Sequence, residues 1–218
     1  MKIFCYAICF LLVAGQSVNA DSKDPNYVNE LLRTRAEFVV KDSKDPEVLL
    51  RRIWDATINV IKAEDIDRRT KENLIDKIIN PIFDFPLMSK LALGRKNWSK
   101  LNSQQREKFI DLFVKRLRNS YRGKILLYTN QTASFKPGVH KKKTLQIPMD
   151  LVSEDHKLAM LYKLRKMSER WKIYDLEIEG VSIVLTYRSQ FDDVLGRGTV
   201  EDLLSLLEKP AIPDKPSK

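Results

Sequence analysis

The segment 171–191 changes its apolar period at Gly180, and this change restricts the possible folds more than any other feature of the sequence. Before the glycine, Tyr174, Leu176 and Ile178 alternate with polar residues, which is the period of a strand with one buried face. After it, apolar residues recur at every fourth position: Ile183, Tyr187, Phe191 and Leu195. That spacing is typical of an amphipathic helix. A chain that passes from one to the other must pack a sheet against helices.

More helices are predicted on both sides of this segment. Residues that commonly cap helices precede apolar residues at helical spacing. They predict helix starts at Asp24, Asp45, Thr70, Asp84 and Asn102 before the sheet, and at Ser182 and Thr199 after it. Gln105 and Asp202 stand where each can complete a capping box. The helix after Asn102 is long and is expected to end near Tyr128.

The region between the two groups of helices is predicted to be β. Alternating residues predict strands at 132–136, 140–152, 157–167 and 172–178, and short turns join the last three into an antiparallel meander. Pro148 in the second strand indicates a sheet edge or a bulge, because proline has no amide hydrogen to donate. The fold class that follows is α+β, with about four strands covered by amphipathic helices.

The first twenty residues are interpreted as a secretory signal peptide. Lys2 precedes a twelve-residue apolar run, and a small-residue site ends at Ala20, where we expect cleavage. The run is too short for a membrane span. Both cysteines lie within it, so the mature chain has none, which excludes cysteine catalysis and thiolate metal ligation. We expect residues 21–209 to form one domain and residues 210–218 to be a disordered tail.

The mature chain is strongly basic. Without Lys2 it carries 38 Lys and Arg against 29 Asp and Glu, a net charge of +9. A charge of this sign predicts anionic partners. For an exported protein these are acidic lipid or acidic protein surfaces rather than nucleic acid. The densest run, Lys141, Lys142 and Lys143, is a candidate docking patch for a partner or a membrane. The alternative is a charged sheet edge that prevents aggregation.

Catalytic and cofactor-binding groups are not predicted. His140 lies in a basic stretch and His156 in a turn, and neither stands at a spacing that indicates a serine triad or a zinc site. Asp175, Glu177 and Glu179 alternate with the apolar strand residues and are expected to face solvent. We therefore predict that the protein is not an enzyme and holds no metal or cofactor.

Two long motifs closely resemble the MlaC / toluene-tolerance family. The first begins at Ile82 and reads IFDFPLMSKLALGRKNWSKLNSQQREKFIDLFVKRLRNSY. The second begins at Trp171 and reads WKIYDLEIEGVSIVLTYRSQF. The two motifs stand in the order that the family has, and the resemblance covers roughly residues 46–208.

The resemblance implies a periplasmic carrier of Gram-negative bacteria. Such proteins shuttle phospholipid between an outer-membrane lipoprotein complex and an inner-membrane ABC transporter complex, which maintains the lipid asymmetry of the outer membrane. The implied fold is a curved antiparallel sheet wrapped by helices, a cone similar to nuclear transport factor 2. The implied ligand is phospholipid, with its acyl chains in a cavity between sheet and helices and no cofactor.

We expect the acyl chains to contact the apolar sheet face and the long helix that covers it. The candidate lining residues on the sheet are Leu145, Ile147, Met149, Leu151, Leu158, Met160, Tyr162, Leu164, Tyr174, Leu176 and Ile178. Those on the long helix are Phe109, Phe113, Leu117 and Tyr121. The alternative for each single residue is a place in the packed core. Arg188 is expected to form an ion pair with Asp84 or Asp175 rather than to contact the head group.

Other functions fit parts of the same pattern. A relative associated with hopanoid synthesis shares these motifs, so another membrane lipid is an alternative ligand. A periplasmic chaperone or adaptor would use the same apolar surfaces to bind unfolded or membrane proteins. A hydrolase on a cone-shaped fold would need an acid/base pair inside the cavity.

Overall fold

The computed structural model describes residues 44–64, 66–126, 131–154 and 156–209. Within these residues, seven α-helices and six β-strands form an α+β fold with a curved, open antiparallel sheet. This is the predicted fold class. The predicted signal peptide, the helix predicted after Asp24 and the predicted tail lie outside the described residues.

Helices make up the first half of the described chain. They are α1 (Pro46–Lys62), α2 (Arg68–Ile79), α3 (Phe85–Leu93), α4 (Arg95–Trp98) and α5 (Ser103–Ile125). A 3-10 turn at Asn80–Ile82 joins α2 to α3. None of the described helices combines the length and the apolarity that a membrane span requires.

The predicted caps of α1, α3 and α5 are confirmed. The Asn102 side chain accepts a hydrogen bond from the Gln105 amide, and the Gln105 side chain accepts one from the Asn102 amide, at 2.9 and 3.0 Å. This is the reciprocal pairing of a capping box.

The predicted start of α2 at Thr70 is wrong, because Asp67 is the N-cap and accepts hydrogen bonds from the amides of Arg69 and Thr70. The structure describes α5 to Ile125, and Tyr128, near which its end was predicted, lies outside the described residues.

The sheet has the spatial order β1-β3-β4-β5-β6, and β2 lies beside β1 on the same edge of β3. Its strands are β1 (Thr132–Phe135), β2 (Val139–Lys141), β3 (Thr144–Val152), β4 (Lys157–Met167), β5 (Arg170–Ile178) and β6 (Val181–Ser182). Every pairing between them is antiparallel, so the predicted meander is confirmed for β3, β4 and β5.

The strand predicted at 140–152 is wrong as one continuous element. Lys142 and Lys143 form a turn, with Lys142 at φ 56°, and the turn folds β2 back onto β3.

Pro148 lies level with the break between β1 and β2, and its carbonyl accepts a hydrogen bond from the Lys136 amide at 2.9 Å. The nitrogen and carbonyl of one strand residue point to the same side. The missing amide hydrogen of Pro148 therefore faces the break, where no ladder is interrupted.

The chain leaves the sheet as the period change predicts. Gly180 has φ 76°, which a residue with a Cβ adopts only with strain. The Ser182 side chain then accepts from the Leu185 amide at 3.1 Å and caps α6 (Ile183–Arg197). A capping box of Thr199 and Asp202 opens α7 (Val200–Glu208), as predicted.

The apolar core consists of two clusters of buried residues. The first lies where α1 and α2 cover the sheet and includes Leu50, Ile75 and Ile173. The second joins α3, α5, α6 and α7, and in it Phe109 and Phe191 meet edge to face with ring centroids 5.5 Å apart. The boundary between the two clusters is where the functional site lies.

Candidate functional site

A cavity of about 190 Å³ lies between the inner face of the sheet and the helices. The sheet side of its wall consists of cross-strand neighbours on β3, β4 and β5: Leu151, Leu158, Met160, Tyr162, Leu176 and Ile178. The opposite side comes from five helices and the turn before α3. Among the described residues, every side chain on the wall is uncharged. The site can therefore hold an apolar guest.

Eight of the fifteen predicted contact residues lie on this wall. They are the six sheet residues named above, together with Leu117 and Tyr121 from α5. Their positions on neighbouring strands and on one helix face follow from the predicted periods. Their contact with acyl chains stays a prediction.

Six other predicted residues pack in the core and do not line the cavity. Leu145, Ile147 and Leu164 lie toward the other end of the same sheet face, in the cluster beneath α1 and α2. Met149 is also completely buried. Phe109 and Phe113 belong to the second cluster, where both rings contact Phe191. An alternating pattern identifies a buried face, but it does not identify which part of that face meets a helix and which part meets a cavity.

Tyr174 is displaced from the predicted face by a β-bulge. Lys163 is paired with Asp175, whereas Leu164 is paired with Ile173, so Tyr174 is the extra residue of β5. Ile173 takes the inward position and is completely buried. The predicted alternation is therefore correct for Leu176 and Ile178 but is interrupted before them.

The helical side of the wall contains residues that were not predicted to line the site. α1 contributes Leu50, Ile53, Trp54 and Thr57, and the remainder are Ile79, Ile82, Phe83, Phe85, Met88, Ile125 and Ile183. The helical spacing in α1 was a signal that these residues share one apolar face. It did not indicate that the face meets a cavity, because that depends on which helix packs beside it.

The polar side chains on the wall are uncharged, and two of them have hydrogen-bond partners within the protein. The Thr57 hydroxyl donates to the Ile53 carbonyl at 2.7 Å, and the Tyr121 hydroxyl contacts an Asp76 carboxylate oxygen at 3.1 Å. Burial raises the pKa of Tyr162 to about 12, so its hydroxyl stays neutral at physiological pH. The site offers no group poised for acid/base catalysis among the residues described.

Asp175 does not face solvent as predicted but is buried. It accepts hydrogen bonds from Lys163 Nζ at 3.1 Å, from the Ser182 hydroxyl at 2.7 Å and from the Val184 amide at 3.2 Å. Burial alone would lower the pKa of Lys163, but hydrogen bonds to Glu177 and Asp175 outweigh it, and the net shift is upward. Asp175 thereby ties α6 to the sheet beside the cavity.

Arg188 does not form the predicted ion pair with Asp84 or Asp175. Arg188 Nε instead lies 3.9 Å from a carboxylate oxygen of Asp192, and its guanidinium packs against Gly94. Asp84 pairs instead with Arg165, at 2.5 Å, while capping α3. Both acidic side chains predicted for Arg188 are thus occupied by cations from β4, which the sequence order does not reveal.

The three candidate docking lysines are exposed and lie away from the cavity. They form the end of β2 and its turn into β3, next to Thr144. The cavity residue on the same strand is Leu151, seven positions further along, which corresponds to about 23 Å. On β4 the wall extends to Tyr162, which is paired with Ile147, three residues and about 10 Å from Thr144, so the basic turn lies beyond the near end of the cavity wall.

Within the described ranges, no group of three or more His, Cys, Asp or Glu side chains could hold a metal ion. The curved sheet, the covering helices and the uncharged wall define the class of protein: an α+β protein with an internal site for an apolar ligand. A sequence model of the MlaC protein matches residues 51–209, and the chain belongs to the MlaC family.

Two known proteins illustrate this relationship. The toluene tolerance protein ttg2D of Pseudomonas putida is 24% identical over 125 residues, which are 56% of this chain and 58% of that protein. The match thus spans little more than half the length of this curated relative. A phospholipid-binding protein from Ralstonia solanacearum, solved in complex with a phospholipid, is 28% identical with a TM-score of 0.66. That comparison covers 73% of this chain and 92% of the solved one.

Proposed function

We propose that the protein is a periplasmic carrier that binds the acyl chains of a phospholipid in the cavity between sheet and helices. The observation that carries the proposal is the uncharged wall of an internal cavity, in a fold shared with a protein solved with a bound phospholipid. An acyl chain has no polar group to satisfy, so such a wall suits it.

Loading requires the wall to move. A cavity of about 150 Å³ holds a guest the size of benzene, so the present volume of about 190 Å³ is too small for two acyl chains. Met88 and Met160 on the wall are unbranched and flexible. The cavity also lies between the two apolar clusters, so the wall is formed partly by each of them.

The energetics of such a carrier require near-balance with the bilayer. Each buried CH₂ is worth about 0.8 kcal/mol, so a lipid with roughly 30 of them gains on the order of 24 kcal/mol gross on leaving water. A carrier that offered much more would not release its lipid, and one that offered much less would not load it. We infer that the direction of lipid transport is set by the partners, an inner-membrane ABC transporter complex and an outer-membrane lipoprotein complex.

Organic extraction of the purified protein followed by mass spectrometry tests the proposal. We expect about one phospholipid per protein, and a preparation without phospholipid would sink it. A hopanoid in the extract would instead favour the alternative lipid. Copurifying unfolded polypeptide without lipid would favour a chaperone.

Export is tested separately. A signal peptide cleaved after Ala20 leaves Asp21 as the first residue of the exported protein. N-terminal sequencing of protein from the periplasmic fraction should read from Asp21. An uncleaved N-terminus would contradict the proposal of a periplasmic location.

A further inference from the structure

An open depression of about 610 Å³ adjoins the cavity. One face of α5 lines it, with Ile110, Asp111, Val114, Lys115, Arg118 and Asn119, and Phe85 from α3 completes the wall. Phe85 also lines the apolar cavity. Phe85 is therefore at the boundary between the two spaces.

Arg118 lies at this boundary, and one of its guanidinium N–H donors is unused within the described residues. Its Cζ atom is 5.7 Å from the centroid of the Phe85 ring. Its Nε atom is buried and has no hydrogen-bond partner in the part of the chain that the structure describes. Buried donors in proteins are nearly always satisfied, so an orphaned guanidinium N–H calls for an explanation. A ligand that accepts hydrogen bonds from the guanidinium would supply one.

The surroundings of Arg118 favour an anion. Lys115 and Asn119, both exposed, add an ammonium and an amide within one helical turn. Asp111 is the one carboxylate among the described lining residues, and it lies seven residues before Arg118, about 10 Å along the helix. Asp111 lies one turn from Lys115, so Arg118, next to Phe85, is the lining cation farther from the carboxylate.

We propose that Arg118 and Lys115 bind the phosphate of the lipid whose acyl chains occupy the cavity. The planar guanidinium matches two phosphate oxygens, and the ammonium adds charge beside it. The glycerol would cross the boundary at Phe85, and the remainder of the head group would lie in the open depression. The proposal rests on the proposed function, and it adds that the carrier recognises the phosphate as well as the chains.

The test compares two lipids that differ in the phosphate. Dioleoyl phosphatidate and dioleoylglycerol have the same acyl chains and glycerol, and the second lacks only the phosphate. Delipidated protein is titrated with each in mixed micelles, and the bound lipid is quantified by mass spectrometry. Arg118→Gln should weaken binding of the phospholipid about tenfold, the typical effect of losing a charge-assisted hydrogen bond. It should leave binding of dioleoylglycerol unchanged.

Matched variants separate this role from a structural one. Arg95→Gln removes the same charge at an exposed position on α4 outside the depression and should bind both lipids as the wild type does. Arg118→Lys keeps a cation and should recover part of the phospholipid affinity, and it replaces Arg118→Gln if circular dichroism finds the latter unfolded. Equal loss of both lipids would assign Arg118 to packing on Phe85 and overturn the proposal.

Two further outcomes are informative. If the wild type binds neither lipid, the proposed function itself fails. If it binds both equally well and Arg118→Gln matches it, the carrier function stands and the phosphate site is wrong. Inorganic phosphate should compete only weakly, because it lacks chains; competition at micromolar concentration would mean a site for free phosphate and would overturn the proposal.

Discussion

Ile147 and Met160 lie on the same face of neighbouring strands but have different surroundings. Ile147 is completely buried beneath α1 and α2, whereas Met160 is half-buried at the cavity wall. Strand periodicity alone makes the two equivalent. The structure separates them, because a helix packs over one and a cavity adjoins the other.

Glutamate at these two positions should have opposite effects. Met160→Glu places a carboxylate where acyl chains are proposed to lie, so the protein should fold but lose its lipid. Ile147→Glu should unfold the protein, at a cost of about 4 kcal/mol or more, because the charge has no partner in the core. Circular dichroism and the lipid content of purified protein measure both effects. A folded Met160→Glu variant with full lipid content would falsify the placement of the acyl chains.

The buried carboxylate of Asp175 should be essential for stability. Asp175→Ala leaves Lys163 with a single acidic partner and deprives the Ser182 hydroxyl and the Val184 amide of an acceptor. We expect the free energy of unfolding to fall by about 3 kcal/mol, measured by urea denaturation. Glu169→Ala, in the exposed turn before β5, is the control. A loss within about 0.5 kcal/mol for Asp175→Ala would mean that the residue behaves as a solvated one.

Among the elements, the helix boundaries were the most predictable part and the strand connections the least. Asp45, Asp84 and Asn102 cap helices as predicted, because a cap depends only on neighbours three residues away. The hairpin at Lys142 and the bulge at Tyr174 were missed. Each depends on the strand across the sheet rather than on local pattern.

The capping box of α7 should make its stability depend on pH. Hydrogen bonds from the Thr199 amide and hydroxyl lower the pKa of Asp202 below the usual range of an aspartate. A carboxyl group whose pKa is lowered by folding stabilises the protein above its unfolded pKa. That contribution is lost as the pH falls through the folded value. We therefore expect the free energy of unfolding, measured with urea, to fall less between pH 7 and pH 3 for Asp202→Asn than for wild type. Asp193→Asn, an exposed change on α6, should behave as wild type; equal losses in all three would contradict the assignment.

At the scale of the whole molecule, the basic turn lies at one end of the sheet, about 10 Å along the strands from Tyr162 on the cavity wall. The turn consists of Lys142 and Lys143 with Lys141 before it. Exposed charges are screened beyond about 8 Å at physiological salt, and none of the three lysines lines the cavity, so they do not contact the acyl chains proposed to lie there. They can still speed an encounter with an anionic surface.

Replacing all three lysines with Gln should slow lipid transfer without changing the lipid content. Transfer of a fluorescent phospholipid from donor to acceptor vesicles that contain anionic lipid measures the rate. Added salt should slow the wild type more than the variant, because screening removes only the steering that the lysines supply. If rate and salt dependence match the wild type while aggregation rises, the lysines protect a sheet edge instead.

The position of the cavity between the two apolar clusters has a consequence for the lifetime of the protein. A lipid bound there would be a removable part of the interior, and by mass action it would favour the folded chain over the unfolded one. Delipidated protein should therefore melt at a lower temperature than loaded protein and regain the difference when phospholipid is restored. Proteases that cut unfolded chains would then remove empty carriers before loaded ones, so that the lipid supply would set how much carrier the cell keeps.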